Sequence, residues 1–479
     1  MVRVRSLPLL AALLLLGGGC SALVDTDETR LGGSDAGSAA TDAGGGVDAG
    51  PRRDAGPADD AGPGLDGAMP CSGPTRCVGG TLSICTDGFE TTSRCPLGCA
   101  TAGPRCAGMV PSNVPAELWD EGAEDMSLEG DASFLFDTSI CRAMMAPSHI
   151  VSQADGGSEV CVLQTGAFLI GERATVAVRG TRPLVIMAAG EVRIDGVLDV
   201  GADLDEPGAG GFAGGIRTRV EGLGSAPGLG GDHEGTYDDG GGGGGGLCGA
   251  GGGGGEGASA AGGAGGAAAD PAWELRPLAG GSGGGRGRGT YRADGTNAGH
   301  GGAGGGALQI STRARILVRG EIRAGGGGGL SGNNLFSSTI NWGSGGGGGS
   351  GGALLLEAPA VRLESSATLR AAGGAGGGGA GAASNGEDGQ NGSDVPRGRA
   401  TGGVGADTTY GADGGHSGGG DFVDALDGAR QTRAGGNGGG GGGGAGCVLV
   451  RNASGVAPGT GVVNPVGAPG YRTMPVLRD

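Results

Sequence analysis

The chain has 479 residues, of which 125 are Gly and 3% aromatic, and its 32 basic against 50 acidic residues give a formal net charge of −18. Glycine at about a quarter of the chain, against a usual ~7%, leaves long stretches without the bulky side chains of a closed enzyme core. Every basic residue is Arg, which excludes a Walker A phosphate loop, a Schiff base and a lysine general base; the acidic balance argues against nucleic acid, because no basic field displaces phosphate counterions.

At the N-terminus Arg3 and Arg5 precede an apolar run from Leu7 to Leu16, interrupted by Pro8. That run is too short to span a bilayer and has the length of a signal-peptide core. Gly17, Gly18, Gly19 and Cys20 follow. This segment resembles the lipobox of bacterial lipoproteins, although Gly17 stands where that pattern has Leu. The resemblance implies a signal peptide at 1–19, a lipidated Cys20 and, with Ser21 next, an outer-membrane lipoprotein exposed in the cell envelope. Membrane attachment is then an anchor and not a span. The cysteine count agrees, since acylating one of eleven leaves ten that can pair. Residues 20–70 repeat Asp-Ala-Gly five times and hold almost no bulky apolar residue. Such a segment cannot bury enough surface to offset its backbone entropy, so it is expected to be a disordered spacer.

Residues 71–106 contain Cys71, Cys77, Cys85, Cys95, Cys99 and Cys106. Six cysteines in so short a block behind an export signal read as three disulfides. Fifteen pairings are possible and spacing does not choose among them. Gly79-Gly80 and Asp87-Gly88 read as turns around a short strand. Cys95-x3-Cys99 also has a zinc-ligand spacing, but no His lies in the block. The block, then Met109-Val110-Pro111-Ser112-Asn113-Val114 and a glycine-rich strand region, resembles a family of uncharacterised glycine-rich, cysteine-rich predicted lipoproteins of GC-rich predatory gliding bacteria. That resemblance implies no particular activity.

Residues 107–167 read as a cap, 168–454 as repeated strands, and 455–479 as an irregular tail. Phe168, Ile170, Val176, Val178 and Gly180 recur at the same offsets as Leu184, Ile186, Val192, Ile194 and Gly196, and again from Leu308, Leu354 and Val448. Apolar and polar residues alternate, so each unit is expected to bury one face and to leave Arg193, Asp195, Arg315 and Arg319 on the other. The repeat predicts an all-β fold, a parallel β-helix (β-solenoid), with an antiparallel sandwich as the rival. Glycine-rich excursions leave the stack at 203–306, 325–352 and 373–446. They are read either as floppy linkers or as polyproline-II-like chains packed side by side, since Gly has no side chain to hold backbones apart. Cys248 and Cys447 are placed to pin distant excursions, and Cys141 with Cys161 to staple the cap.

Few residues carry chemistry. His149, His233, His300 and His416 lie too far apart in sequence for a paired metal site. Gly402 to Tyr410 fits most of the calcium-binding nonapeptide Gly-Gly-x-Gly-x-Asp, making Asp407 the calcium candidate. The acidic loops at Asp203-Asp205-Glu206 and at Asp232 to Asp239 read as solvated charge. The chain is therefore expected to be a lipid-anchored surface protein with a structural or adhesive role and neither a catalytic residue nor a cofactor. Surface polysaccharide or neighbouring copies are the expected partners. The alternative is a polysaccharide-binding or polysaccharide-cleaving β-helix protein.

Overall fold

In the cysteine block two Gly-containing hairpins dictate the local structure. Asp87 (φ 54°) and Gly88 (φ 82°), like Gly79 (φ 59°) and Gly80 (φ 79°), occupy the left-handed region that two-residue hairpin turns need. They join β1 (Met69–Pro70), β2 (Arg76–Val78), β3 (Thr81–Thr86) and β4 (Phe89–Arg94) into an antiparallel sheet of order β1-β4-β3-β2. Disulfides Cys71–Cys85, Cys77–Cys99 and Cys95–Cys106 cross-link it. The computed structural model describes residues 69–119, 122–142, 146–234, 238–269, 273–289, 296–334, 342–407 and 409–479. The expected signal peptide, Cys20 and nearly all of the spacer lie outside them.

The block does not stand alone. Gly67–Asp479 is one compact unit, and the end of the chain returns to the block. Val476 is buried with Leu97, Ala107 and Met109. The Arg478 guanidinium donates to the Leu97 carbonyl at 2.9 Å, and the Asp479 carboxylate pairs with Arg105 at 2.8 Å and accepts from the Gly108 N–H at 2.7 Å. Deleting residues 476–479 is therefore expected to speed limited proteolysis between 97 and 110, with the three disulfides intact by peptide mapping. An unchanged cleavage rate would mean the clasp holds nothing.

Three further sheets carry the main core. The five-stranded one contains β5 (Met126–Leu128), β9 (Phe168–Ile170), β12 (Val192–Ile194), β17 (Arg315–Val318) and β20 (Ala360–Leu363). The six-stranded one contains β6 (Ser133–Asp137), β10 (Thr175–Arg179), β13 (Val197–Asp199), β18 (Glu321–Arg323), β21 (Thr368–Arg370) and β23 (Val462–Asn464). The seven-stranded one contains β7 (Ser148–Val151), β8 (Val160–Thr165), β11 (Leu184–Ala188), β16 (Ala307–Thr312), β19 (Ala353–Glu357), β22 (Cys447–Asn452) and β24 (Tyr471–Pro475). Every neighbour pair in them is parallel except β7 with β8. Leu184, Leu308, Leu354 and Val448 fall in register on successive strands. Together with Ile170, Ile194, Val318, Val178 and Leu198 they fill one apolar core shared by all three sheets.

The parallel β-helix expected from the sequence is corrected. The strands form discrete parallel sheets of five, six and seven members, and no closed solenoid forms among the described residues. The gapless repeat covers only β9 to β13 and its offset is not the register of the sheets, where Phe168 lies beside Val192 and Val176 beside Leu198 and not beside Leu184 and Val192; after Asp199 the chain leaves the sheets and returns at Ala307. The single buried face is corrected too. The seven-stranded sheet has a second apolar layer, in which Val162, Val185, Met187, Leu355 and Leu449 pack against Val114, Leu247, Leu275 and Leu278. A parallel sheet covered on both faces reads as a continuous apolar run, as Leu184–Ala188 and residues 353–356 do. Asp195 is also not on a solvated face: its side chain is 4% exposed, paired with Arg193 at 2.6 Å and Arg319 at 3.7 Å. The cap region supplies β5 and β6, and the tail expected to be irregular supplies β23 and β24.

The described residues of the glycine excursions are ordered, and their hydrogen bonds repeat every third residue. Gly438, Gly441 and Gly444 donate to the carbonyls of Asp239, Gly242 and Gly245. Gly439, Gly442 and Ala445 donate to Ala429, Leu426 and Val423. Gly440, Gly443 and Gly446 donate to Gly377, Gly374 and Ala371. The same run accepts from Gly345, Gly348 and Gly351, from Gly255, Gly252 and Gly249, and from Gly415 and Gly418. Three residues per turn is the polyproline-II period. One run therefore bonds six neighbours, three by donation and three by acceptance. The body closes only because Cβ atoms are missing; a Cβ on Gly244 would overlap the Gly442 carbonyl oxygen. Cys248–Cys447 fastens this body to β22, and Cys141–Cys161 ties the segment before β7 to β8.

Candidate functional site

The sequence-derived candidates do not converge. The ten cysteines from Cys71 to Cys447 are all in disulfides. Asp407 caps its own turn: one carboxylate oxygen accepts from the N–H groups of Thr409 and Tyr410 at 2.8 and 2.7 Å. Among the described residues no three His, Cys, Asp or Glu side chains are grouped to hold a metal ion. Ser282 and Ser350, each the centre of a Gly-x-Ser-x-Gly stretch, are fully buried, and the Ser282 N–H donates to Ser350 Oγ at 2.8 Å. They are packing residues of the glycine body.

One acidic loop is not solvated charge. Strands β14 (His233–Glu234) and β15 (Asp238–Asp239) pair antiparallel, setting His233 opposite Asp239. His233 Nδ1 lies 2.8 Å from Asp239 Oδ1, and Asp239 is 0% exposed. Burial pushes the Asp239 carboxyl up to about 6, against the pull of His233 and Arg288 toward ionisation. The folded state thus holds this proton more tightly than the unfolded chain, whose reference is 3.8. Its effect on stability is therefore favourable at low pH and is lost as pH rises through about 6. Asp239→Asn keeps an acceptor for His233 and removes the titration. Wild type is expected to lose stability relative to Asp239→Asn as pH rises from 4 to 7. A difference between the two proteins that stays flat in urea titrations across that window would refute the assignment.

A depression of about 680 Å³ lies at the end of the sheets where β20 and β23 are edge strands. Its volume is within the range of ligand pockets. It is lined by Arg397, Arg399, Asp421, Phe422, Val463 and Tyr471 among others. Asn464, fully buried, assembles the walls. Its side-chain oxygen accepts from the Gly420 N–H at 2.7 Å, and its amide donates to the carbonyls of Val395 and Gly398 at 3.0 and 3.1 Å. Gly419 and Phe422 close a turn by mutual backbone bonds, with Gly420 at φ 59°. That turn holds Phe422 outward, 62% exposed.

The Arg399 guanidinium lies 4.3 Å from the Phe422 ring centroid and donates to the Asp424 carbonyl at 2.8 Å. Burial lowers its pKa, an effect partly opposed by Asp424. Its Nε is buried without a hydrogen-bond partner. Arg397 is exposed. A second depression, of about 580 Å³, adjoins the first through Leu363, Ala457, Gly459 and Thr460; there Arg362 and Glu364 pair at 2.9 Å. The result is an open groove with an aromatic platform, two guanidinium groups and edge backbone. Sequence reasoning missed it. The one available signal was Phe422, the only aromatic between Tyr410 and Tyr471.

No protein-family model matches the chain, and no curated protein and no solved structure is significantly similar to it. The five disulfides indicate an oxidising, extracytoplasmic compartment. No helix among the described residues is long and apolar enough to cross a membrane.

Proposed function

We propose that this is an exported, lipid-anchored protein of the cell surface, with a structural and adhesive role and no catalytic turnover. The observation that carries the reading is the packing of the glycine runs. A central run bonded to six neighbours makes a stiff body from backbone, and disulfides such as Cys248–Cys447 preserve it where no chaperone refolds it. Such a body presents a contact surface at fixed geometry, and an acidic chain on a long spacer stays dispersed until many copies engage together. The end groove is the contact surface best suited to a polysaccharide. A cleaving role has less support. Asp421 is the carboxylate of the larger depression, Glu364 of the other is taken up by Arg362, and glycoside hydrolysis works with two carboxylates flanking one bond.

Two measurements test this. Replacing Cys20 by Ser is expected to move the protein from the membrane to the soluble fraction; unchanged membrane association would remove the anchor from the reading. Cells displaying the protein are expected to aggregate or bind polysaccharide-coated surfaces more than cells lacking it. Equal adhesion would remove the adhesive role.

A further inference from the structure

We propose that the end groove binds a carboxylated polysaccharide, such as a polyuronate, with sugar rings against Phe422 and carboxylates on Arg397 and Arg399. This rests on the adhesive reading above and names its ligand class. Charge supplies the first argument. In a chain of net charge −18 the larger depression gathers two arginines against one carboxylate, Asp421. Arg397 is exposed and Arg399 lines the depression, so each presents its guanidinium there; the unpartnered Arg399 Nε is buried and is not one of the donors the groove offers. Guanidinium donors match a carboxylate's two oxygens.

The second argument is shape. Phe422 is held 62% exposed by a turn anchored to buried Asn464. Its ring offers an apolar face that a sugar's C–H face can cover, while the Arg399 guanidinium 4.3 Å from the ring centroid sets the charge beside it. The adjoining depression extends the channel past Pro359 to Glu364, which suits a chain and not a single sugar.

The test uses the full mature protein, oxidised, with oligogalacturonate as ligand, malto-oligosaccharide of equal length as the neutral sugar, and polyglutamate as the non-sugar polyanion. Binding is expected for oligogalacturonate alone and should weaken as salt rises. Arg397→Ala and Phe422→Ala should each weaken it at least tenfold, and Arg397→Lys should restore part of the loss. Both substituted side chains are exposed, so unfolding midpoints should stay unchanged. Equal binding of the neutral sugar would overturn the carboxylate assignment; equal binding of polyglutamate would overturn the sugar platform. If oligogalacturonate fails to bind, or binds with no effect of Arg397→Ala and Phe422→Ala, the groove assignment falls. The adhesion assay on displaying cells separates these failures from failure of the adhesive reading itself.

Discussion

Gly252→Ala and Gly254→Ala should each destabilise the protein severely, while Gly253→Ala, between them, should be close to neutral. A Cβ on Gly252 would overlap the Leu426 carbonyl, and one on Gly254 the Gly241 carbonyl; at Gly253 the nearest atom is Asp427 Oδ1, at an ordinary 3.5 Å. The obstructing atoms are backbone oxygens of neighbouring runs, so relief requires whole chains to move apart. Those chains are bonded to this run: the Ala425 and Gly428 N–H groups donate to the Ala250 and Gly253 carbonyls, and the Gly241 and Gly244 N–H groups to the Gly255 and Gly252 carbonyls. Overpacking a core with side chains on both sides costs about 1–3 kcal/mol. A clash with backbone on a hydrogen-bonded lattice should lie at or beyond the top of that range. Gly253→Ala should even gain a few tenths of a kcal/mol by restricting the unfolded chain. Guanidinium unfolding midpoints of the three oxidised variants provide the test. Equal tolerance would mean the runs are linkers and the three-residue bonding pattern is not maintained in solution.

The same local logic explains what was legible in the sequence. Val192 and Ile194 alternate with Arg193 and Asp195, Ile316 and Val318 are flanked by Arg315 and Arg319, and all four are fully buried on paired strands. Gly79-Gly80 and Asp87-Gly88 announce hairpins because their φ requirement is local. The second apolar layer was illegible because alternation cannot distinguish an outward residue that meets solvent from one that meets Leu275 or Leu278. Those covering residues arrive from an excursion with hardly any apolar periodicity. Asp239 was misread as solvated charge because its burial depends on distant runs, through the Gly438 N–H bonded to its carbonyl. The groove was hidden for the same reason: Arg399 and Phe422 meet only because Asn464, far along the chain, ties their loops together. What the sequence offered at the glycine runs was a choice between slack and packed chains. Packing prevails because each run can give three successive N–H groups to three different neighbours, satisfying backbone that a buried loop would leave unpaired.

Glu357→Ala should cost several kcal/mol, at about 1–3 kcal/mol for each buried donor left unsatisfied. Ser311, Glu357 and Arg451 are in register on β16, β19 and β22, on a sheet buried on both faces. Glu357 and Arg451 are each 1% exposed. The carboxylate accepts from Ser112 N–H at 3.1 Å, from Ser112 Oγ, and from Gln309 and Ser311 at 2.9 Å, with Arg451 Nε at 3.8 Å. Burial raises its pKa and these donors oppose the rise. Removing it strands the Ser112 N–H and one Gln309 N–H, the other being held by Ser311 Oγ, and leaves Arg451 to Glu274 and the Pro475 carbonyl. Glu357→Gln should cost less, since one oxygen survives, but more than nothing, because its NH₂ must face a donor. Glu364→Ala, in an ion pair with the exposed Arg362, is the control and should change stability by under about 1 kcal/mol. Hydrogen exchange should show the loss first at residues 112–114, which the carboxylate pins to the sheet. If Glu357→Ala matches Glu364→Ala, the buried network contributes nothing and the connection from the cysteine block is held by apolar contacts alone.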